Sequence, residues 1–108
     1  MTVNRISDEL LEDVRRRIVE AIRPEKIILF GSHAWGRPEE GSDIDLFVVV
    51  PPSDQPSYRQ ARDVYRSLRG IGVPVDVVIQ SRDEVERGKK VATSLAKRVL
   101  EHGKVLYG

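Results

Sequence analysis

The chain has 108 residues, a length typical of one domain, so we expect a single domain over residues 1–108. Eighteen basic and seventeen acidic residues leave a net charge of +1, which gives no general argument for a nucleic acid or membrane partner. The absence of cysteine excludes disulfides and thiolate metal sites, and no apolar run is long enough to span a bilayer. With no signal peptide visible, the cytoplasm is the expected location.

The first half of the chain predicts one long helix and two buried strands. Apolar residues recur at helical spacing over residues 8–23, and Pro24 ends this helix. Residues 26–30 are a short continuous apolar run, which is typical of a buried strand. After a glycine-punctuated segment with room for a short helix near Ser32, residues 43–50 are rich in β-branched side chains and predict a second strand.

The second half predicts, in chain order, a helix, a strand, a capped helical turn, a helix and an edge strand over residues 57–69, 73–79, 81–84, 94–102 and 104–107. In the last helix we expect Leu95, Val99 and Leu100 to face inward. Because helices and strands alternate, the predicted fold class is α/β (α+β), a small mixed sheet of three to four strands with helices packed on it.

Three aspartates in or beside predicted strands are candidate metal ligands and catalytic acids. Asp43 and Asp45 open the second strand, where residues i and i+2 point to the same face. Two like charges side by side are costly unless a cation compensates them, and Mg²⁺ is often held by one or two carboxylates together with substrate phosphates. Asp76 is flanked by apolar residues in the third predicted strand, and it joins the same cluster if that strand neighbours the second.

A glycine-serine pair directly after the first strand predicts a phosphate-binding turn. Gly31 lets backbone approach a ligand closely, and Ser32 adds a hydroxyl donor at the start of a short helix. The expected ligand is the triphosphate of ATP or another nucleoside triphosphate, bridged by two Mg²⁺ ions, with Asp76 helping to deprotonate the attacking hydroxyl. Within the intervening loop, Arg37 is a candidate phosphate contact and Ser42 a candidate for positioning the loop.

Each of these features also has a structural explanation when it is taken alone. A Gly-Ser turn is an ordinary loop, an Asp-x-Asp at a strand start often caps a turn, and Asp76 fits the role of a partnered structural acid. The conjunction of strand, Gly-Ser, glycine-rich segment, Asp-x-Asp, strand and a third acid is what favours the metal-binding interpretation.

The spacing of Gly31-Ser32, ten residues, then Asp43-Ile44-Asp45 resembles the nucleotidyltransferase signature of the DNA polymerase β superfamily. More narrowly, Gly-Ser-His-Ala-Trp-Gly followed by Ser-Asp-Ile-Asp-Leu-Phe-Val resembles the minimal nucleotidyltransferases, small prokaryotic domains. The resemblance implies that Asp43, Asp45 and Asp76 bind metal and that Gly31 and Ser32 hold the triphosphate. Members often carry arginine where this chain has His33.

Members of this family are often paired with a helical protein of the HEPN type, and some act as antitoxins that transfer AMP from ATP to a tyrosine of that partner. The resemblance therefore implies a Mg²⁺-dependent nucleotidyltransferase that acts on a hydroxyl. Because the chain is too short for an acceptor domain, we expect the acceptor surface to come from a HEPN-type partner or a second copy. The alternative is a non-catalytic antitoxin that neutralises its partner by occupancy alone.

Overall fold

The computed structural model describes residues 7–35 and 43–108, in which helices and strands alternate along the chain. The elements are α1 (Asp8–Ile22), β1 (Lys26–Phe30), α2 (Ser32–Trp35), β2 (Ile44–Val50), α3 (Ser57–Ser67), β3 (Val75–Ser81), α4 (Arg82–Gly88), α5 (Leu95–His102) and β4 (Lys104–Tyr107). No helix in these two ranges is both long enough and apolar enough to cross a membrane.

The four described strands form one mixed sheet in the order β3-β2-β1-β4. Strand β1 is antiparallel to both of its neighbours, whereas β2 and β3 run parallel to each other. Helices pack on this sheet, so the predicted α/β class with a small mixed sheet is confirmed. Strand β2 has a neighbour on each side, and all of its residues except Asp45 are buried.

The two faces of the sheet are covered by different helices. One face packs against α1 and α3, and its buried residues include Ile44, Leu46, Val48 and Val50 of β2 together with Leu11, Val14, Ile18, Val64 and Leu68 of the helices. The other face packs against α4 and α5, and it includes Ile28, Phe47, Val49, Val85, Ala96 and Val99. Because side chains alternate along a strand, Asp45 belongs to the α4–α5 face.

Some predicted boundaries and one predicted helix face differ from the structure. Strand β3 begins at Val75, two residues later than expected, because Pro74 lacks an N–H for the sheet and contributes only its carbonyl, which accepts from the Ile44 N–H at 3.0 Å. In α5 the prediction for Leu95 and Leu100 was wrong, since they are 38% and 40% exposed. Ala96 and Val99 are the buried residues of this short helix, and their i, i+3 spacing defines its inner stripe.

Helix α1 is fastened to the C-terminal end of α3 by Arg17. Its Nη1 donates hydrogen bonds to the backbone carbonyls of Ser67 and Arg69 at 3.1 and 3.0 Å, while its Nε donates to Asp13 at 3.2 Å. The last carbonyls of a helix have no partner within the helix, and a cation there is also favoured by the helix dipole. This side chain therefore fixes α3 against α1 and, through α3, against the edge of the sheet.

We expect Arg17→Met to lower the free energy of unfolding by about 1–2 kcal/mol, because two carbonyl groups lose a charged donor while the apolar stem is kept. The control is Arg16→Met, which removes an exposed arginine whose ion-pair partner among the described residues is Asp13, and which is expected to cost less than about 0.5 kcal/mol. Urea unfolding followed by circular dichroism measures both values. Equal losses in the two variants would contradict a special role for Arg17.

Candidate functional site

The parallel pairing of β2 and β3 places two of the three predicted acids side by side. Asp45 and Asp76 are register partners, each the second residue of its strand, so their side chains leave the same face of the sheet. Asp43 lies directly before β2, two residues from Asp45, and is exposed. The sequence predicted that Asp76 joins Asp43 and Asp45 if the third strand neighbours the second, and β3 does lie beside β2.

The electrostatic environment of Asp45 shows that these groups act on one another. The pKa of Asp45 is raised above the ordinary carboxyl range, first by partial burial and then by the negative charges of Asp76 and Asp43. His33 in α2 acts in the opposite sense and lowers this pKa. An acid that is half-buried among like charges costs stability in its ionised form, and a bound cation relieves that cost.

Gly31 brings backbone directly against this carboxylate. It follows Phe30, the register partner of Asp45 in β1, and has a positive φ of 78°. A Cβ atom at Gly31 would collide with the carboxylate of Asp45, so a side chain there requires Asp45 to move and also strains the backbone. The carbonyl of Gly31 accepts a hydrogen bond from the Ala34 N–H at 3.0 Å. Helix α2 therefore begins directly beside Asp45.

Of the remaining predicted site residues, Ser32 lies within a described helix, whereas Arg37 and Ser42 do not belong to the described residues. Ser32 is the first residue of α2, directly after Gly31. The roles of Arg37 and Ser42 therefore stay predictions. His33, for which the sequence pattern predicts no role, lies within electrostatic reach of Asp45. Its position two residues after Gly31, inside the short helix predicted there, was the available signal.

The chemistry of the donor set fits a hard divalent cation. Three carboxylates share one end of the sheet, and Mg²⁺ takes one or two protein carboxylates while substrate phosphates and waters complete its coordination. In the described ranges, no three acidic or histidine side chains are already disposed as a complete metal cage. The raised pKa of Asp45 and the lack of a complete cage are compatible, because carboxylates repel one another at distances longer than those between ligands of one metal ion. Mg²⁺ also does not need a cage made only of protein groups.

A recess of about 300 Å³ lies at the opposite end of the same two strands, with Val50, Ile79, Ser81 and Arg87 among its lining residues. Asp45 and Asp76 are near the first residues of β2 and β3, whereas Val50 and Ser81 are the last. The recess is therefore separate from the acids.

Comparison with known proteins agrees with this arrangement. Residues 7–106 match the sequence model of the nucleotidyltransferase domain, and the chain belongs to that family. The protein is thus an enzyme of the nucleotidyltransferase class, as the sequence resemblance implied.

Two relatives come from the archaeon Methanocaldococcus jannaschii. The chain is 36% identical over 86 residues to the protein named "Putative protein adenylyltransferase MJ0604", an alignment that covers 79% of this chain and 80% of that one. It is 31% identical over 71 residues to "Putative protein adenylyltransferase MJ1379", covering 65% of this chain and 71% of that one.

We expect Gly31→Ala to be more destabilising than Gly70→Ala. Both glycines have a positive φ, 78° and 84°, so each variant bears a backbone strain of about 1–2 kcal/mol. At Gly70 a Cβ meets nothing within 4 Å, whereas at Gly31 it meets the carboxylate of Asp45. The additional loss at Gly31 is expected to be about 1–3 kcal/mol and is measured by urea unfolding.

The double variant Gly31→Ala with Asp45→Ala tests the cause of that additional loss. If the contact is responsible, removing the carboxylate restores most of the additional stability, and the two changes are not additive. Additive losses would mean that the strain at Gly31 does not arise from Asp45.

We expect Asp45→Asn to raise the melting temperature of the metal-free protein by a few degrees near neutral pH, because it removes a half-buried charge repelled by Asp76 and Asp43. The pKa of Asp45 is higher in the folded than in the unfolded state, so the folded state binds the proton first as the pH falls. The wild-type protein therefore gains stability between the folded-state pKa and the lower, ordinary carboxyl pKa of the unfolded state. The advantage of the variant should therefore shrink on acidification. The control is Asp54→Asn in an exposed loop, and a lower melting temperature for Asp45→Asn at pH 7 would contradict the prediction.

Proposed function

We propose that this protein is a Mg²⁺-dependent adenylyltransferase that moves AMP from ATP to a tyrosine hydroxyl of a helical HEPN-type partner and neutralises that partner as an antitoxin. The observation that carries the proposal is the register pairing of Asp45 with Asp76, with Asp43 two residues away and bare backbone at Gly31 against Asp45. The proposed setting is the cytoplasm, where ATP and Mg²⁺ are both available.

In this proposal the three carboxylates of Asp43, Asp45 and Asp76 hold two Mg²⁺ ions together with the triphosphate. When bound, the ions neutralise phosphate charge and polarise the α-phosphorus. Gly31 has no side chain of its own, so the main chain of the turn into α2 can lie close to the triphosphate. His33 adds a donor at the same edge, and Ser32, Arg37 and Ser42 remain the proposed contacts of the nucleotide and its loop.

The proposed transfer is a single displacement at the α-phosphorus of ATP. The tyrosine oxygen forms a bond to this phosphorus, the bond from phosphorus to the bridging oxygen of the β-phosphate breaks, and pyrophosphate leaves. The hydroxyl proton passes to a carboxylate, for which we propose Asp76. The edge strand β3 carries Asp76, so an acceptor can approach this residue from outside the sheet.

A protein acceptor is supported by the two archaeal relatives, both of which bear the name "Putative protein adenylyltransferase". The acid group also lies at an end of the sheet beside β3, which has no strand on its outer side among the described residues. Asp76 is exposed at this end, which is where a folded protein acceptor would have to present its hydroxyl.

We expect Asp43→Asn, Asp45→Asn and Asp76→Asn each to reduce AMP transfer by about a hundredfold or more, because each removes a carboxylate where charge must be compensated in the transition state. The assay follows label from ATP, in the presence of Mg²⁺, to a purified HEPN-type protein that binds this chain, with Asp54→Asn as a surface control. Absence of transfer by the wild-type protein to a confirmed partner would contradict the proposal.

The same variants separate catalysis from neutralisation by occupancy. If AMP transfer is the mechanism, Asp43→Asn binds the partner but no longer neutralises it. If Asp43→Asn transfers no AMP and still neutralises the partner, occupancy alone is the biological role.

A further inference from the structure

The outward surface of α3 concentrates positive charge and aromatic rings. It carries, with the turn that follows the helix, the exposed residues Tyr58, Arg59, Arg62, Tyr65, Arg66 and Arg69, which we call the arginine–tyrosine face. At 3.6 residues per turn these side chains span an arc of about 120°, beside the stripe formed by Val64 and Leu68. Tyr58 and Tyr65 are 63% and 43% exposed, although both are large and mostly apolar.

The arginines of this face have no acidic partners in the part of the chain that the structure describes. Helix α1 provides the contrast, since Arg15 pairs with Glu12, and both Arg16 and Arg17 pair with Asp13. The arginines of α1 are therefore paired with acids, whereas those of the arginine–tyrosine face form no ion pair among the described residues.

The arrangement on α3 is also unfavourable for the helix itself. Arg62 has a like charge three residues before it, at Arg59, and another four residues after it, at Arg66. Like charges at these spacings repel across one turn, and Arg59 further opposes the dipole in a first turn that contains no acidic residue. Asp63 lies at favourable spacings from Arg59 and Arg66, but the positions three and four residues on either side of Arg62 hold no acid. A negatively charged occupant would relieve the repulsion around Arg62.

The arginine–tyrosine face lies beside the strand that carries Asp76. The hydroxyl of Tyr65 accepts a hydrogen bond from the backbone N–H of Val77 at 2.9 Å, and Val77 directly follows Asp76 in β3. Because β3 is an edge of the described sheet, this bond covers an outward-pointing N–H and joins the helix surface to the strand. An occupant of the face would therefore reach the acids around the β3 edge, since α3 packs on the sheet face opposite to the one that carries Asp45 and Asp76.

The composition of the face favours a protein occupant. Arginine and tyrosine are enriched at protein–protein interfaces and among their energetic hot spots, whereas lysine is depleted there, and the face contains no lysine. Guanidinium groups pair bidentately with carboxylates, so the complementary surface is one rich in Asp and Glu. With a net charge of only +1 on the whole chain, this attraction is a local property of α3.

We infer that the arginine–tyrosine face is the docking surface for an acidic surface of the protein acceptor. The inference rests on the proposed function, because it supplies the acceptor site for that transfer. It gives the face a positioning role: the arginines bind the acceptor protein, and the acids beside β3 act on its hydroxyl.

The test uses Arg62→Glu, for which stability and binding are expected to change in opposite directions. The introduced carboxylate would face Arg59 and Arg66 at favourable spacings, so the melting temperature should stay equal or rise. Binding of a fluorescent random copolymer of Glu and Tyr should weaken about tenfold, and the KM for AMP transfer to its tyrosines should rise by a similar factor. The control Lys90→Glu makes the same charge change beyond the end of α4, and it should alter either value by less than about twofold.

Binding is compared with a Lys–Tyr copolymer and with an oligoadenylate of matched charge, and the wild-type protein should prefer the Glu–Tyr copolymer. Equal weakening by Arg62→Glu and Lys90→Glu would overturn the inference. If the wild-type protein binds the oligoadenylate more tightly than the Glu–Tyr copolymer, and Arg62→Glu abolishes that binding, the occupant of the face is a polynucleotide. A dimer of this chain that Arg62→Glu dissociates in sedimentation would assign it to a second copy.

The two proposals fail in different ways. If the wild-type protein binds the Glu–Tyr copolymer through Arg62 but transfers no AMP and is not stabilised by ATP with Mg²⁺, the proposed function fails. If AMP transfer proceeds with the same KM in Arg62→Glu and in the wild-type protein, the docking surface is wrong and the proposed function stands.

Discussion

The site depends on one backbone constraint, the parallel pairing of β2 with β3 in the register that opposes Asp45 to Asp76. A shift of the register by one residue would turn one of these carboxylates to the α1–α3 face, among the buried side chains of the core. The register of β2 against β3 therefore sets the position of the acids together with the packing of both sheet faces. The cost is a raised pKa at Asp45, where partial burial and like charges disfavour the ionised form.

At the end of the sheet that carries Asp45, residues that pack closely together are also the proposed site residues. Gly31 is required where β1 ends, because the carboxylate of Asp45 occupies the space that a Cβ would need. The turn at Gly31 starts α2, which brings His33 near Asp45. The turn beside the acids therefore has no side chain of its own at Gly31, which suits the close approach of a phosphate to the main chain.

The two helices on the α1–α3 face treat their charges differently, and the difference has a structural basis. Arg17 of α1 uses its guanidinium to satisfy carbonyls at the end of α3, and its neighbours pair within their own helix. The arginines of α3 are exposed on the side away from the core, and none of them forms an ion pair among the described residues. Charge that is neutralised in one helix stabilises the fold, and charge left exposed in the next is available to a partner.

The sequence alone determined the order of elements, the strand residues 26–30, the capping box at Ser81 and the family, because these follow from local periodicity, turn chemistry and a specific motif spacing. It could not determine that Asp76 stands opposite Asp45, that Leu95 and Leu100 are exposed, or that the arginines of α3 meet no acid among the residues described. Those facts depend on which strand lies beside which and on how each helix is rotated against the sheet. Such long-range choices are made by the packing of the whole core, and only the tertiary structure reveals them.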